Sequence, residues 1–249
     1  MRVIPKQPVS IVMPVCNEAD IIEEVVEEWA NEVLQYLPKG SELFFDEAAS
    51  TDGTREILQR LQIKYPFIRL NFNPVKEGFA VAAKRLYREA GCPLIFFTDS
   101  DGQYVPAEFW KLTPYIDDFD IVHGAKIGRQ DPVYRKIASA VFNLIARFIF
   151  GIRCTDINSA FRIVKKDVRD AVLPKLGTMP TLLNAEFLIR AAYKNYRIKE
   201  ISVVHRKRKH GVSRGLPPSE FLKECIMAFR AMLSLKNEHK FKSNNRMER

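Results

Sequence analysis

The sequence predicts an α/β protein with a mostly parallel central sheet flanked by helices. Strand-like and helix-like segments alternate regularly through the first half of the 249 residues, which is typical of a doubly wound sheet. The first strand-like segment, VSIVMPV at 9–15, is continuously apolar and rich in β-branched residues, as expected for a strand buried on both faces. The composition, 47% hydrophobic and 28% charged, is ordinary for a globular domain.

The remaining elements of the first half follow in order. Residues 17–37 carry apolar side chains at helical spacing, and acidic residues crowd the first turns, as the helix dipole favours. A short strand, ELFF at 42–45, comes next, and Asp52-Gly53 marks a turn before another helix. The later predicted elements are a strand at 68–73, a helix at 78–91 and a strand at 93–99.

The second half is less regular. Its predicted elements are helices at 107–116, 131–152 and 181–195 and strands at 120–126 and 197–209. Residues 219–236 then place their apolar side chains on one helical face, and 237–249 resemble a frayed basic tail. We therefore divide the chain into a main domain, 1–215, and a C-terminal segment, 216–249, with an amphipathic helix and a basic tail.

The net charge of +9 is concentrated at one end of the chain. Residues 197–249 contain 14 Lys and Arg against 5 Asp and Glu, whereas residues 1–196 are balanced. This asymmetry indicates a local anionic partner, such as phosphates, nucleic acid or an acidic membrane face. A nucleic-acid partner is not expected, because the basic segment lacks the interleaved aromatic residues of a single-strand platform.

Targeting and redox signals are weak. No run reaches eighteen apolar residues, so no transmembrane helix is expected, and the first ten residues lack the apolar core of a signal peptide. The four cysteines lie far apart without CxxC spacing. Neither a zinc site nor a disulfide framework is expected, and reduced thiols in the cytoplasm are the default.

Two aspartates, Asp99 and Asp101, directly follow the apolar run LIFF, with Gln103 two residues further on. Ligands of doubly wound sheets bind beyond the carboxyl ends of the strands. Carboxylates this close raise each other's pKa unless a positive group lies between them. The candidates are a divalent metal, a basic side chain or solvent. The alternative is a purely structural role, in which the two aspartates cap the loop.

Five segments occur in an order that resembles the inverting nucleotide-sugar glycosyltransferases of GT-A fold, most closely the dolichyl-phosphate mannose synthase and polyprenyl-phosphate glycosyltransferase branch. They cover about residues 8–215 and are SIVMPVCNEADI, STDGT, TDSDGQY, YRKIASAVFNLIARFIFG with TDINSAFRI, and RKRKHGVSR. The resemblance implies a GT-A (Rossmann-like) fold, with 1–215 as the catalytic domain. It also implies transfer of a mannose- or glucose-like sugar from a GDP- or UDP-linked donor to a polyprenyl or dolichyl phosphate.

The resemblance implies that Asp99, Asp101 and Gln103 hold the metal and the donor. The leaving diphosphate develops charge as the glycosidic bond breaks, and a divalent cation neutralises it. An oxygen-only site suits Mg²⁺ or Mn²⁺ and would suit zinc poorly. By the same resemblance Ser100 and Gly78 are donor-binding positions.

The nucleoside-facing positions depart from the family pattern. By resemblance Pro14, Cys16 and Glu18 line the base and ribose, although the family usually has Tyr at Cys16; Asn17 and Glu18 also suit a helix N-cap. The family usually shows Asp-Asp-Gly-Ser before TDGT, whereas this chain has FFDEAASTDGT. An ungapped alignment puts the base-contacting aspartate on Ala48. One inserted residue gives the two acidic places to Asp46 and Glu47, and we prefer this alignment because ELFF then ends where the family strand ends.

The basic half supplies candidate phosphate-binding residues. By resemblance Lys126 replaces the usual Arg, which keeps the charge but loses the bidentate fork. Arg135 and Ser139 match the family pattern. A Gly-containing loop that carries Arg208 and Arg214 suits phosphate oxygens, with a solvated basic loop as the alternative.

The acceptor decides whether a general base is needed. A polyprenyl phosphate is already an anionic nucleophile, so none is required. If the acceptor were a hydroxyl, Asp156 would be the candidate base; orientation of Arg162 or of a backbone turn is an equal alternative. Arg162 and Glu186 are also candidates for a structural ion pair. Transfer to a hydroxyl and a catalytically impaired nucleotide- or membrane-binding relative therefore remain alternative functions.

The C-terminal segment suggests a membrane partner. Many relatives carry two C-terminal transmembrane helices; in their place this chain has the amphipathic 219–236 segment with basic flanks. Such a helix would hold the enzyme on an anionic membrane surface, peripherally on the cytosolic face. Packing against the catalytic domain or in a dimer is the alternative.

Overall fold

The computed structural model of the chain describes residues 2–128, 133–209 and 221–247, in which seven strands form one sheet. The strands are β1 (Val9–Val15), β2 (Glu42–Ala48), β3 (Ile68–Asn73), β4 (Leu94–Phe97), β5 (Ile121–Ile127), β6 (Arg162–Lys165) and β7 (Ile198–Val204). Their order is β3-β2-β1-β4-β6-β5-β7. Neighbouring strands are parallel except at β6, which runs antiparallel to β4 and β5. The predicted mostly parallel α/β fold is confirmed.

The helices flank this sheet. The α-helices of the described residues are α1 (Ile22–Glu32), α2 (Thr54–Lys64), α3 (Phe79–Glu89), α4 (Phe109–Leu112), α5 (Val133–Phe150), α6 (Lys166–Val172), α7 (Leu183–Tyr193) and α8 (Phe221–Met247). The first helix is shorter than the predicted 17–37, because Asn17 adopts a left-handed φ of 51° and residues 34–36 form a 3-10 turn. The last helix is longer and continues through most of the predicted frayed tail.

Alternating aromatic residues of β4 anchor helices on both faces of the sheet. Phe96 packs against Trp29 of α1 at a ring-centroid distance of 5.4 Å, and Phe97 stacks on Tyr87 of α3 at 5.1 Å. All four side chains are buried, and burying one such ring contributes about 2–3 kcal/mol. This packing supports the carboxyl ends of β1, β2 and β4, and the loops that follow these strands carry the candidate site.

The C-terminal helix is amphipathic, as predicted, but its apolar residues serve two purposes. Met232 and Leu235 are buried, and Glu238 lies 3.2 Å from Arg190 of α7. Among the described side chains of α8, the large apolar ones that remain exposed are those of Ile226, Met227, Phe229 and Leu233. The helix therefore packs on the domain and still presents an apolar surface.

Candidate donor and metal site

The two aspartates lie in a tight loop after β4. Because that strand ends at Phe97, two residues before the predicted end, both carboxylates belong to the loop. The Asp101 Oδ1 atom accepts a hydrogen bond of 3.0 Å from the Gln103 backbone N–H. Gly102 turns the chain with a φ of +71°, and a Cβ there would lie 3.2 Å from Ile21 Cγ1. The loop geometry therefore requires glycine at this position.

Neighbouring groups hold this loop on both sides. The Ser100 hydroxyl donates to the Pro14 carbonyl at 2.9 Å, which joins the loop after β4 to β1. The Gln103 side-chain amide donates to the Arg206 carbonyl at 3.1 Å, which joins it to the segment after β7. The structure thus brings Pro14, Ser100, Asp101 and Gln103 together, as the sequence predicts.

Burial makes the aspartate pair electrostatically costly. Burial, together with the neighbouring Asp101 charge, raises the pKa of Asp99 to about 7, against the opposing charges of Lys126 and Arg208. Burial also raises the pKa of Asp101, although Arg208 and Lys126 oppose the shift. At neutral pH the pair therefore lacks full compensation for two negative charges. A cation bound between the carboxylates would supply that compensation.

The available donors fit a hard divalent cation. They are the oxygens of Asp99, Asp101 and the Gln103 amide. In the part of the chain that the structure describes, no group of three or more His, Cys, Asp or Glu residues could hold a metal ion. Two carboxylates leave several positions of an octahedral Mg²⁺ or Mn²⁺ for diphosphate oxygens and water. The residues present fit a metal that binds together with a nucleotide.

Glu18 is tied to the basic end of the chain. The Arg208 Nη2 atom donates to both Glu18 carboxylate oxygens, at 2.6 and 2.7 Å, and Arg208 Nη1 lies 3.9 Å from Asp101 Oδ2. The Glu18 backbone N–H donates to the Thr54 hydroxyl at 2.9 Å, so the 50–54 turn braces the loop after β1. Cys16 is partly buried in the same loop. Arg208 thus reaches the carboxylate pair from a distant part of the chain.

The end of β2 differs from the preferred alignment. The strand runs to Ala48, three residues beyond ELFF, so the reason for inserting a gap does not hold. Asp46 is fully buried and accepts from Arg85 Nη1 at 3.0 and 3.2 Å; burial raises its pKa. Glu47 is fully buried and lies 2.6 Å from Arg55. Both acids are held inside the sheet by arginines of α3 and α2 instead of ending the strand.

The residue after β2 supports the ungapped alignment. Ala49 has a φ of 49°, in the left-handed region that favours glycine, and the ungapped alignment places the family's glycine there. The base-contacting aspartate of the family then falls on Ala48, which is buried. In this alignment the base-contacting position of the strand end carries no carboxylate.

We expect restoration of the family pattern to strengthen nucleotide binding. The double substitution Ala48→Asp with Ala49→Gly supplies a carboxylate for the base and relieves the left-handed alanine. We expect affinity to rise about tenfold, which is the size of effect that a hydrogen bond to a charged group gives. Calorimetric titration with GDP and with UDP measures the affinity. Ala49→Gly alone is the control for the backbone effect. Equal affinity in all three proteins would show that Ala48 does not face the base.

Lys126 and Asp156 form a largely buried ion pair close enough to the aspartates for Lys126 to lower their pKa. The Lys126 Nζ atom lies 3.3 Å from Asp156 Oδ2, and both side chains are largely buried. The Lys126 backbone N–H approaches the same oxygen at 3.3 Å. Glu200 of β7 holds the turn by accepting from the Thr155 backbone N–H at 2.7 Å. Asp156 therefore orients Lys126, an arrangement the sequence did not predict.

His123 braces this pair from the core. Burial lowers its pKa to about 3, so the ring is neutral, and its Nε2–H donates to the Asp156 carbonyl at 2.6 Å. The backbone of the Asp156 turn is thus fixed by a group that stays uncharged at every physiological pH.

The expected ion pair between Arg162 and Glu186 does not form. Arg162 is fully buried and donates to the Asn184 carbonyl at 2.8 Å and to the Ser159 carbonyl. Glu186 instead pairs with Arg190 at 2.7 Å. The four-residue spacing on α7 explains the preference, because it sets those two side chains one turn apart on the same helix.

The other predicted residues lie on neighbouring elements. Arg135 and Ser139 belong to the first turns of α5; Arg135 Nε donates to the Tyr134 hydroxyl at 3.2 Å, and Ser139 Oγ accepts from Asn143 at 3.4 Å. Asn143 also accepts from the Ile157 N–H at 3.2 Å, which links α5 to the Asp156 turn. Gly78 is the N-cap of α3. Arg214 lies outside the described residues.

Comparison with known proteins identifies the family. Residues 10–173 match glycosyl transferase family 2. The chain belongs to this family of glycosyltransferases. The predicted family is confirmed, and the antiparallel β6 strand and the Asp99–Asp101 loop are thus features of a family 2 chain.

Relatives in this family include polyprenyl-phosphate sugar transferases. Undecaprenyl-phosphate 4-deoxy-4-formamido-L-arabinose transferase of Salmonella choleraesuis (strain SC-B67) is 28% identical over 218 residues, which cover 84% of this chain and 63% of the relative. The enzyme of Salmonella paratyphi B is similar to the same extent. The chain thus spans less than two thirds of the length of these relatives.

Solved structures share the fold. The mannosyltransferase PcManGT of Pyrobaculum calidifontis, in complex with GDP-Man and Mn²⁺, has a TM-score of 0.64 at 19% identity, covering 85% of this chain and 59% of that chain. Glucosyl-3-phosphoglycerate synthase of Mycobacterium tuberculosis, in complex with Mn²⁺, UDP and phosphoglyceric acid, has a TM-score of 0.69 at 18% identity, covering 93% and 79%. The predicted GT-A fold is confirmed.

Proposed function

We propose that this family 2 glycosyltransferase moves a hexose from a GDP- or UDP-linked donor to a polyprenyl phosphate and that it requires Mg²⁺ or Mn²⁺. The observation that carries the proposal is the half-buried Asp99–Asp101 pair with Lys126 and Arg208 close by. Such a site compensates the charges of a metal diphosphate. The Salmonella relatives, which are named for transfer to undecaprenyl phosphate, support this acceptor class.

The residues of the chain would divide the work as follows. Asp99, Asp101 and Gln103 would hold the metal, which when bound would neutralise the charge that develops on the leaving diphosphate. Lys126, oriented by Asp156, and Arg208 would stabilise the phosphate oxygens as the glycosidic bond breaks. An acceptor phosphate is already ionised at neutral pH, so its oxygen attacks the anomeric carbon without a general base. The pairing of Asp156 with Lys126 supports the phosphate acceptor over the hydroxyl alternative.

An exposed apolar surface supports a location on a membrane. Along α5, Val133, Ile137, Val141, Leu144 and Phe148 are exposed at helical spacing, and Phe148 is 82% exposed. The helix has no acidic residue between positions 133 and 150, while Arg147 and Lys136 flank the apolar stripe. Apolar side chains with basic flanks are suited to the surface of an anionic bilayer.

The α8 helix continues this surface, because it packs against α5 and exposes Ile226, Phe229 and Leu233. None of the helices in the described part of the chain combines the length and hydrophobicity needed to cross a bilayer. From the exposed apolar side chains of α5 and α8 we propose peripheral attachment through these two helices, on the cytosolic face.

We expect the α5 stripe to determine vesicle binding. In a flotation assay the protein should bind vesicles that contain about one third anionic lipid and bind neutral phosphatidylcholine vesicles weakly. Replacing Ile137 and Phe148 with Ser should lower the bound fraction at least about fivefold, since each large apolar side chain contributes about 1.5–3 kcal/mol when buried. Ile63→Ser, at an exposed apolar residue of α2, is the matched control. Equal binding of all three proteins would show that α5 does not contact the membrane.

The acceptor can be tested directly. The protein is incubated with undecaprenyl phosphate and radiolabelled GDP-mannose or UDP-glucose, with and without Mn²⁺, and the products are extracted into organic solvent. We expect Mn²⁺-dependent label in the lipid fraction, and none when undecaprenol replaces its phosphate. Label found only in water-soluble products would favour a hydroxyl acceptor. No transfer with any donor, from a folded protein, would favour a catalytically impaired relative.

A further inference from the structure

The segment after β7 lies along the acidic face of α1 and its preceding loop. This basic strap, residues 206–209, contains Arg-Lys-Arg-Lys. Arg206 donates to Glu28 at 2.7 and 3.0 Å, Arg208 donates to Glu18, and Lys209 pairs with Glu24. The three pairs connect parts of the chain that are more than 170 residues apart in sequence. The strap is therefore held by a row of ion pairs.

The strap is also attached to the predicted metal loop. The Arg206 backbone N–H donates to the Gln103 carbonyl at 2.7 Å, and the Gln103 side-chain amide donates back to the Arg206 carbonyl at 3.1 Å. This pairing fixes where the strap passes the carboxylates. Two residues later, the Arg208 guanidinium reaches Glu18 and stands 3.9 Å from Asp101.

The position of Arg208 carries an electrostatic consequence. Its side chain is only 16% exposed, and those of Glu18 and Asp101 are 13% and 20% exposed. A positive charge this close to Asp101 attracts phosphate anions and repels a second cation, and partial burial strengthens both effects. The guanidinium therefore partly neutralises the carboxylate when no metal is bound.

We infer that Arg208 is the chain's own counter-ion at the donor site and that it competes with the metal for Asp101. Glu18 holds the guanidinium in this position. A divalent metal that binds without nucleotide is repelled by the charge of Arg208. A nucleotide diphosphate reduces that repulsion, because its phosphates can interact with both the metal and Arg208. Arg208 thereby makes metal binding and nucleotide binding depend on each other. This inference rests on the proposed function, because it assigns the metal to Asp101.

Binding measurements without turnover test the inference. Mn²⁺ alone is titrated calorimetrically into the wild-type protein, Arg208→Gln and Arg60→Gln; the last is the matched control, because Arg60 of α2 forms an exposed ion pair with Glu23 of α1 and lies outside the strap. We expect Arg208→Gln to bind Mn²⁺ about tenfold more tightly, given a unit charge removed at about 4 Å in a partly buried site. Arg60→Gln should match the wild-type protein. Thermal unfolding of each variant confirms that it is folded.

A second titration separates this role from others. Metal-free UDP and GDP should bind Arg208→Gln more weakly than they bind the wild-type protein, so that the same substitution moves the two affinities in opposite directions. If Arg208→Gln weakens nucleotide binding but leaves Mn²⁺ affinity unchanged, Arg208 only contacts phosphate and the competition is refuted. If Mn²⁺ binds neither the wild-type protein nor Arg208→Gln, the proposed metal site itself is wrong and the inference fails with it.

Discussion

Replacing Asp101 with Asn should lower the rate of sugar transfer at least about a hundredfold. The substitution keeps the size and shape of the side chain but removes half of the carboxylate charge available to a metal. Electrostatic stabilisation of developing charge is often worth a factor of about 10²–10³ for a single group. In the variant the amide oxygen at position 101 can still accept the hydrogen bond from the Gln103 N–H, so the loop should keep its shape. The lipid-extraction assay measures the rate.

The control for this substitution is Asp118→Asn, which removes a charge from an exposed aspartate after the fourth helix. It should leave the transfer rate within about twofold of the wild-type rate, as surface substitutions usually do. A rate in Asp101→Asn within about threefold of wild type would contradict the metal-bridged donor site. The loss should also persist at saturating Mn²⁺ if the carboxylate acts in the transition state.

Lys126→Ala should lower transfer about a hundredfold, and Asp156→Asn about tenfold or less. In the proposed function Lys126 supplies the positive charge for the phosphate oxygens, whereas Asp156, 3.3 Å from Lys126, only orients that lysine. A general base contributes a factor of about 10²–10⁴, and a phosphate acceptor does not need one. The ratio of the two losses therefore reports the acceptor class. Rates are compared in the lipid-extraction assay at saturating donor.

Lys111→Ala, at an exposed lysine paired with Glu108, is the control for loss of a positive charge and should leave the rate nearly unchanged. The double variant Lys126→Ala with Asp156→Asn should be no slower than Lys126→Ala alone, since orienting an absent lysine has no effect. The reverse order, a thousandfold loss in Asp156→Asn and a mild loss in Lys126→Ala, would make Asp156 a general base and the acceptor a hydroxyl.

Local sequence patterns predicted the bounds of β1 and β3 correctly. VSIVMPV of β1 is continuously apolar and follows Pro8, and IRLNFN of β3 alternates apolar with polar residues and ends before Pro74. Strand β2 runs longer than ELFF because Asp46 and Glu47 stay inside it, and charged residues ordinarily end a predicted strand. Their partners, Arg85 and Arg55, lie on other elements. No local pattern identifies these distant partners.

The four-residue strand β6 was missed for a related reason. RIVK is too short to produce a periodic signal, and its place between β4 and β5 depends on pairing with both neighbours. The available signal was the short apolar run Ile163-Val164 before Lys165-Lys166. Such a run indicates a strand only once the order of the strands in the sheet is known.

The candidate site shows the same division between local and distant information. Asp99 and Asp101 were predicted because a carboxylate pair after a buried strand is visible in the sequence. The contact between Glu18 and Arg208 joins residues 190 positions apart, so each appeared only as a separate family position. The pairing of Lys126 with Asp156 also depends on the turn held by Glu200. Side-chain partners across the fold required the three-dimensional structure.

Calorimetric titration of the wild-type protein with GDP and with UDP, each with and without Mn²⁺, tests the donor site most directly. We expect one of the two nucleotides to bind in the presence of Mn²⁺ and to bind at least about tenfold more weakly without it, as a metal-bridged diphosphate requires. The preferred nucleotide would identify the donor base. Failure of both nucleotides to bind a folded protein, with or without metal, would contradict the proposed function.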